Sequence, residues 1–394
     1  MAEELVKLTA NEAAAAIARG AISAEDYTRA CLERIEAHGG EIKAFAHLDR
    51  EHALAQARKL DERRLEGHPL GPLHGIPVAI KDIIDTADYP TELGSPLAAG
   101  RRTRRDATVV AKLRAAGAVI IGKTVTTEFA YFHPGPTRNP HDHAHTPGGS
   151  SSGSAAAVAA HMVPLALGSQ TNGSVIRPAA FCGVFAIKPT HGLVSRAGVL
   201  ALSRKLDHIG AFARSLDDLA LILEVIAGHD PADPDTEPFA APDFRALAHE
   251  PPPLPPRFAF VRTPMWDKAD GETKAAFEEL ASALGGAIED VDLPQSFAEA
   301  WEIHRTIMRP TWRTILRLTS RSASRAKRCA SSLRTAAACR RSIISPRSPR
   351  RRAMRQASPR SSMPTMPSSR RRRPALRPKG SARPAIRCSA PCGL

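Results

Sequence analysis

The sequence lacks the features that mark membrane, exported and disulfide-rich proteins. It contains no apolar run of about 18 residues, so we expect no membrane-spanning helix. The N-terminus, MAEELVKLTA, is acidic and has no basic segment followed by an apolar core, so we expect no signal peptide and a cytoplasmic location. Only 6 of the 394 residues are cysteine, and their spacing fits neither a zinc site nor a disulfide framework.

Acidic residues are missing from the last part of the chain. All 40 Asp and Glu lie at or before Glu302, whereas 25 of the 55 Lys and Arg follow it. The overall charge of +15 therefore divides into −10 up to Glu302 and +25 after it. The first part has the charge of an ordinary soluble protein, so the basic balance is no evidence that this part binds nucleic acid.

The tail, residues 313–394, is rich in Arg, Ser and Pro and has no sustained apolar periodicity. One interpretation is a disordered basic arm that makes nonspecific contacts with nucleic acid. The other is a shifted reading frame, because GC-rich coding sequence read out of frame yields mainly Arg, Pro, Ser, Ala and Cys. We favour the shifted frame, and we divide the chain into a domain at residues 1–312 and this tail.

The most informative stretch is residues 146–190, which read TPGGSSSGSAAAVAAHMVPLALGSQTNGSVIRPAAFCGVFAIKPT. Two turns rich in Ser and Gly, at residues 148–154 and 169–174, enclose a predicted alanine-rich helix and a short apolar strand. A flexible linker would not continue into such an apolar segment. The turn also fits the nucleophile-elbow pattern G-x-S-x-G, but that elbow follows a strand, and the residues before this turn are loop-forming.

At these residues the sequence resembles the amidase signature family of serine hydrolases. The family has a GGSS(S/G)GS turn, matched by residues 148–154, and a second turn of the type (D/Q)TGGS(I/V)xxPA, matched by residues 170–179. The resemblance covers about residues 5–312. It implies an α/β fold with a mixed, mainly parallel central sheet covered by helices on both faces, lacking its C-terminal part.

A single lysine interrupts the apolar segment at residues 76–84, which has the pattern of a strand buried on both faces. Lysine is seldom buried without a partner, so the residues alone allow a side chain that reaches solvent or a functional buried amine. The segment resembles the family motif GIPxxxKD, whose lysine is the catalytic base. The resemblance therefore assigns this role to Lys81.

The resemblance assigns the rest of the chemistry to the two serine turns. Ser174 matches the nucleophile that forms the acyl-enzyme, and Ser150 matches a bridging serine that follows a cis peptide bond in the family. Because burial disfavours a cation, we expect the pKa of Lys81 to fall. Neutral Lys81 would take the proton of Ser150 while Ser150 takes that of Ser174.

The predicted oxyanion donors are the backbone N–H groups of Thr171, Asn172 and Gly173, together with that of the nucleophile. Asn172 replaces a glycine of the commonest family pattern, and Gln170 stands where Asp is common. Asn tolerates left-handed backbone geometry, so we expect the turn to form. These departures leave the substrate subgroup open.

Two other groups invite a chemical interpretation that we reject. Cys182 is a nucleophile on paper, but it has no histidine nearby in the sequence, and we expect a small buried residue. His141, His143 and His145 alternate around Asp142, yet prolines enclose this segment, and we interpret it as a solvated loop. We predict no metal and no cofactor.

Periodicity and capping signals predict the remaining elements. Helices are expected at residues 8–20, 23–38 (capped by Ser23 and ended by Gly39 and Gly40), 50–65, 107–116 (capped by Asp106), 215–227, 270–284 and 297–308, and strands at residues 118–121, 163–167, 258–261 and 287–291. Residues 231–256 are dense in Pro and Asp and are expected to be irregular.

Four functions remain open. The first is an amidase that hydrolyses a small carboxamide, with water as the acyl acceptor; the second is the glutaminase subunit of a tRNA-dependent amidotransferase, which works with partner subunits. The third is an enzyme of this ancestry that is inactive because its C-terminal region is missing. The fourth, from another class, is a protein whose basic tail binds nucleic acid. Dimerisation is a family tendency that no residue here establishes.

Overall fold

The computed structural model describes residues 2–240 and 242–308. Its main feature is a six-stranded sheet in the order β1-β3-β2-β4-β6-β5. The strands are β1 Phe45–Leu48, β2 Pro77–Lys81, β3 Val119–Thr124, β4 Leu165–Gln170, β5 Phe185–Ile187 and β6 His208–Ala213. The predicted basic tail lies outside the described residues.

The centre of the sheet is parallel and its outer pairings are antiparallel. Strands β3, β2 and β4 run parallel to one another, with Val78 beside Leu165 and Ile80 beside Leu167. The β1–β3, β4–β6 and β5–β6 pairs are antiparallel. Because every residue of β2 and β3 is buried, both faces of the sheet centre are covered, and the predicted mixed α/β architecture is confirmed.

Eleven α-helices lie within the described residues. They are α1 Ala2–Leu5, α2 Ala10–Ala18, α3 Ala24–Ile42, α4 Arg50–Leu65, α5 Thr108–Ala115, α6 Ser152–Ala159, α7 Ile176–Cys182, α8 Leu216–Ile226, α9 Phe244–His249, α10 Gly271–Leu284 and α11 Ala300–Met308. The helices expected from the sequence are present, and Ser23 caps α3 as predicted. Ser215 caps α8 in the same way. None of the described helices has the length and apolarity needed to span a membrane.

Three local predictions were wrong. Helix α3 does not end at Gly39 and Gly40 but runs on to Ile42, because Lys43 adopts the left-handed conformation (φ 54°) that terminates it. Asp106 does not cap α5; its carboxylate instead accepts hydrogen bonds from the backbone of Ala87 and from Arg114.

The third error is the segment at residues 231–256, which is not irregular throughout. It contains helix α9, capped by the side chain of Asp243, and Arg245 of that helix forms an ion pair of 2.8 Å with Glu224. Further on, β7 (Phe258–Phe260) and β8 (Ile288–Asp290) pair in parallel around α10, as the predicted β-α-β order requires. They form a sheet of their own and do not extend the six-stranded one.

Candidate active site

The parallel pairing of β2 and β4 creates the site, because the carboxyl ends of parallel strands meet at one edge of a sheet. Lys81 is the last residue of β2, and Ser169 lies near the end of β4. The Lys81 side chain is 0% exposed. Its Nζ lies 2.7 Å from Ser150 Oγ and 2.9 Å from Ser169 Oγ. The buried amine predicted from the sequence is therefore present, beside one predicted serine and one that was not singled out.

Burial determines the charge state of Lys81. Removal of the amine from water lowers its pKa well below the ordinary value, because the cation loses its hydration; Asp207 acts against this shift, and Arg177 adds to it. A neutral amine keeps a lone pair, so it can accept a proton from one hydroxyl while it donates a hydrogen bond to the other. Burial therefore favours the neutral form of this amine, which is the form that a base requires.

Ser150 sits in a turn that contacts from two other segments hold in place. Its peptide bond with Gly149 is cis, and its side chain is buried, with 2% exposed. The Ser150 carbonyl accepts a hydrogen bond from the Thr127 N–H at 3.1 Å. The Gly149 carbonyl accepts two from the Arg177 guanidinium, at 3.0 and 2.7 Å. These contacts fix the backbone that carries the Ser150 hydroxyl.

The glycines of this turn are required by close approach. Gly148 has φ +76°, and a Cβ on it would lie 3.0 Å from the backbone of Pro178. A Cβ on Gly153 would lie 2.2 Å from the Ala44 carbonyl oxygen. The turn therefore packs backbone against backbone and cannot be a free linker. Residues 131–150 contain no helix or strand, so the arrangement of a nucleophile elbow, with a strand before the turn, is absent there.

Ser174 lies in the second turn, between β4 and α7, and is 7% exposed. Gln170 organises this turn: its side-chain oxygen accepts the N–H groups of Val175 and Ile176 at 2.9 and 3.0 Å. The amide of Gln170 thus supplies the acceptor that an aspartate would offer at this position. Within the described residues, both Lys81 hydrogen bonds go to Ser150 and Ser169, and neither goes to Ser174.

The predicted oxyanion residues lie in this same turn. Thr171 donates its hydroxyl to Asp207 at 2.6 Å, and Asn172 is exposed. We expected Asn172 to be tolerated because asparagine accepts left-handed backbone geometry. This explanation was wrong, because neither Asn172 nor Gly173 is among the described residues with positive φ. The turn therefore does not need left-handed geometry at the position where asparagine replaces glycine.

Sequence reasoning missed three residues that hold the site together. Asp207, just before β6, accepts the Thr171 hydroxyl and the N–H groups of Leu202 and Ser203 at 2.7 and 2.8 Å. Ser151 accepts the Ser169 N–H at 3.3 Å and donates to the Ser169 carbonyl at 3.2 Å, which ties the first turn to β4. The signal that could have found Ser169 and Ser151 was their position inside the two serine turns.

Cys182 and the histidines of residues 141–145, whose chemical interpretation we rejected, make structural contacts. The Cys182 side chain lies 3.6 Å from the Pro147 carbonyl, and burial raises the pKa of the thiol to about 12, so it is not a thiolate. His141 Nε2 lies 2.9 Å from the Cys182 carbonyl, and His145 pairs with Asp142 at 2.7 Å. No group of three or more potential metal ligands occurs among residues 2–240 and 242–308.

The protein has an α/β fold in which a buried lysine contacts two serine turns at the end of a parallel sheet. This arrangement agrees with the class of hydrolases that the motifs resemble. A family described as Amidase matches residues 26–376, and the chain belongs to this family. The match continues past residue 312, further than the motifs indicated, and its residues 309–376 lie outside the described part of the chain.

Curated relatives match a large part of this chain. It is 47% identical over 303 residues to the glutamyl-tRNA(Gln) amidotransferase A-type subunit of Chloroflexus aurantiacus, which covers 74% of this chain and 62% of the relative. A protein of the same name from Streptomyces coelicolor is 50% identical over 236 residues, covering 58% of this chain and 48% of the relative. The match thus spans about half to three fifths of the length of these relatives.

Solved structures resemble the fold as well. The peptide amidase of Stenotrophomonas maltophilia is 36% identical, with a TM-score of 0.69, over 77% of this chain and 65% of the other. A 6-aminohexanoate cyclic dimer hydrolase, solved with its substrate, is 28% identical with a TM-score of 0.69, over 85% of this chain and 76% of the other.

Proposed function

We propose that this chain hydrolyses a carbon–nitrogen amide bond of a small carboxamide, with Ser174 as nucleophile, Ser150 as proton relay and Lys81 as base. One observation carries the proposal: the fully buried Lys81 amine lies 2.7 Å from the Ser150 hydroxyl, at the edge of the sheet where the Ser174 turn begins. Membership of the Amidase family supports the reaction class.

In the proposed acylation, the Ser174 oxygen attacks the amide carbonyl carbon. Its proton passes to Ser150, and the proton of Ser150 passes to the neutral Lys81 amine. The backbone N–H groups of Thr171, Asn172 and Gly173, with that of Ser174, stabilise the oxygen that becomes negative in the tetrahedral intermediate. The hydroxyl bond between Thr171 and Asp207 supports this role, because it holds the start of the turn in place.

The intermediate then collapses, and the carbon–nitrogen bond breaks. Ser150 gives its proton to the departing nitrogen and recovers one from protonated Lys81, so the amine leaves neutral and the relay is reset. Water attacks the acyl ester by the same path: Lys81 and Ser150 remove its proton, and Ser174 regains one as the carboxylic acid leaves. No net proton stays on the enzyme.

The names of the curated relatives favour a second function. Those relatives are amidotransferase subunits, so this chain is also a candidate for a glutaminase that delivers ammonia to a partner subunit. Release of ammonia from glutamine, and co-purification with a partner, would mark this function. Hydrolysis of simple carboxamides by the isolated chain would mark the first.

The test measures the amine or ammonia and the carboxylate released from a panel of primary and secondary carboxamides and from glutamine, with Ser174→Ala as the matched control. We expect the wild-type chain to release both products in equal amounts and Ser174→Ala to release neither. A folded wild-type chain that hydrolyses nothing in the panel would support the third possibility, an inactive member of the family.

The basic tail stands apart from this chemistry. The family match runs to residue 376, but the composition changes abruptly after residue 312. On that change we propose that residues 313–394 lie outside the catalytic domain and that a shifted reading frame produced them. Translation of the gene in its other two frames tests this idea, and a continuation similar to the relatives is the expected result. If neither frame yields one, the alternative of a basic arm is favoured, and nucleic-acid binding that weakens steeply with salt and is lost on deletion of 313–394 would establish it.

A further inference from the structure

A cavity of about 300 Å³ opens beside the proposed base. Ser169, whose hydroxyl lies 2.9 Å from Lys81 Nζ, and Thr171 form its inner wall. The remaining wall is mainly apolar and includes Ile83, Val199, Leu200, Ala201, Leu202 and Ile209. Thr171 and Ser169 border the proposed reaction centre, whereas the apolar residues of the wall have no role in the steps proposed above.

The charged side chains around the cavity are already paired. Arg196 contacts Asp233 at 2.7 Å and Asp235 at 2.6 Å, and Arg204 contacts Asp235 at 2.9 Å. Asp207 accepts the Thr171 hydroxyl and two backbone N–H groups. A charged ligand would have to break one of these pairs, whereas an apolar group would only displace water from an apolar wall.

The position of the cavity relative to the relay determines which part of a substrate it faces. In the proposed reaction, the departing nitrogen receives its proton from Ser150, so this nitrogen must lie on the Ser150–Lys81 side of the carbonyl carbon. Ser169, whose hydroxyl lies 2.9 Å from Lys81 Nζ, lines the cavity, and from this contact we infer that the cavity lies on the side of the base. A substituent on the nitrogen would therefore extend into the cavity, while the acyl group, on the other side of the carbonyl carbon, would not.

We propose that this cavity binds the amine portion of the substrate, and that the substrate is a secondary amide whose nitrogen carries an uncharged, apolar substituent. The proposal rests on the proposed function and narrows its substrate class. Ammonia, the leaving group of a primary amide, would leave the space unfilled. An apolar cavity of about 150 Å³ already holds a benzene molecule, so the volume here suits a substituent of benzyl size or somewhat larger.

The experiment compares amides that share one acyl group and differ only in the amine. Hexanamide, N-benzylhexanamide and N-(2-carboxyethyl)hexanamide present hydrogen, an apolar group and a carboxylate to the cavity. We expect kcat/KM for the benzyl compound to exceed that for hexanamide about 10-fold or more, since apolar surface is buried, and the carboxylate compound to show no gain. Equal kcat/KM values for the benzyl compound and hexanamide would overturn the proposal.

A variant at the rim tests the location. Ala201 is exposed and lines the cavity, so Ala201→Trp should fill the space and reduce the ratio of benzyl to hexanamide kcat/KM toward one. The matched control is Ala111→Trp, at an exposed position of α5 outside the cavity, which should keep the wild-type ratio. An unchanged ratio in Ala201→Trp would place the benzyl group elsewhere and refute the assignment.

Failure of the proposed function has a different signature. In that case no amide in the series would be hydrolysed and Ser174 would not become acylated, which would overturn both proposals together. Hydrolysis that depends on Ser174 but shows no preference for the benzyl compound would overturn the cavity assignment alone.

Discussion

The described residues contain two lysines that are both 0% exposed, and we predict that their removal has opposite consequences. Lys123 Nζ lies 3.5 Å from a carboxylate oxygen of Asp82, which is itself 1% exposed. Lys81 forms no ion pair among the described residues and contacts only two serine hydroxyls through its amine. The matched variants are Lys81→Met and Lys123→Met, which replace each amine by an apolar side chain of similar length.

For Lys123→Met we expect a loss of about 3–5 kcal/mol in the free energy of unfolding, because the Asp82 carboxylate is left buried without its partner. At about 2–4 °C per kcal/mol for a domain of this size, the melting temperature should fall by roughly 6–20 °C. The double variant Lys123→Met with Asp82→Asn removes the unpaired charge and should recover most of that loss.

For Lys81→Met we expect no comparable loss. The two hydrogen bonds to Ser150 and Ser169 contribute about 2 kcal/mol together. Against this, a buried lysine costs about 1.4 kcal/mol for each pH unit by which folding lowers its pKa, and the pKa of Lys81 is lowered well below its ordinary value by burial. The two contributions cancel or favour the variant, so its melting temperature should stay the same or rise.

The effect on activity should be the reverse of the effect on stability: Lys81→Met should lose activity and Lys123→Met should keep it. Loss of a positioned base slows acylation about 10²–10⁴-fold, so Lys81→Met should be nearly inert, whereas folded Lys123→Met should keep its acylation rate. Thermal unfolding and the rate of Ser174 acylation measure the two effects on the same samples. If Lys81→Met were destabilised as much as Lys123→Met, the Lys81 amine would be a structural element, and the reasoning would be refuted.

Three further predictions follow from the same geometry. Because the folded-state pKa of Lys81 lies below that of the unfolded chain, the unfolded state binds the extra proton between these two pKa values. In that window the stability of wild type relative to Lys81→Met should rise by about 1.4 kcal/mol per pH unit and level off above pH about 10.4, as urea titrations at several pH values would reveal. A difference that stays flat up to pH about 10.4 would contradict the lowered pKa. Thr171→Val removes the 2.6 Å bond to Asp207 and should slow acylation of Ser174 about 10-fold or more in stopped-flow measurements, whereas an unchanged rate would show that this contact does not position the turn. Cys182→Ala should retain acylation, since burial raises the pKa of that thiol to about 12, and loss of the adduct in a folded Cys182→Ala chain would reinstate the rival nucleophile.

The sequence was sufficient for the parts of the site that depend on local pattern. The apolar pattern at residues 76–84 predicted a buried strand, and the density of Ser and Gly predicted two turns, both of which are present. The family resemblance then singled out Lys81, Ser150 and Ser174, whose catalytic roles stay predictions. Helix ends were harder to predict where a single residue terminates the helix. Lys43 ends α3 by adopting a positive φ, and the pattern at Gly39 and Gly40 does not indicate this.

The contacts of Ser169 and Asp207 could not be predicted from local pattern, because they depend on strand pairing. Ser169 reaches Lys81 only because β4 lies beside β2 in parallel register. Asp207 reaches Thr171 because β6 pairs with β4 in antiparallel register, with His208 beside Gln170. Contacts between residues this far apart in the chain follow from topology, and the pattern around each residue alone does not specify them.

The most direct test of the account is covalent labelling with a fluorophosphonate probe, read by intact mass, on the wild-type chain and on Ser174→Ala. A serine nucleophile activated by Lys81 and Ser150 predicts one probe adduct on the wild-type chain and none on Ser174→Ala. An adduct that persists in Ser174→Ala, or a folded wild-type chain that takes up no probe, would contradict the assignment of Ser174 as the activated nucleophile.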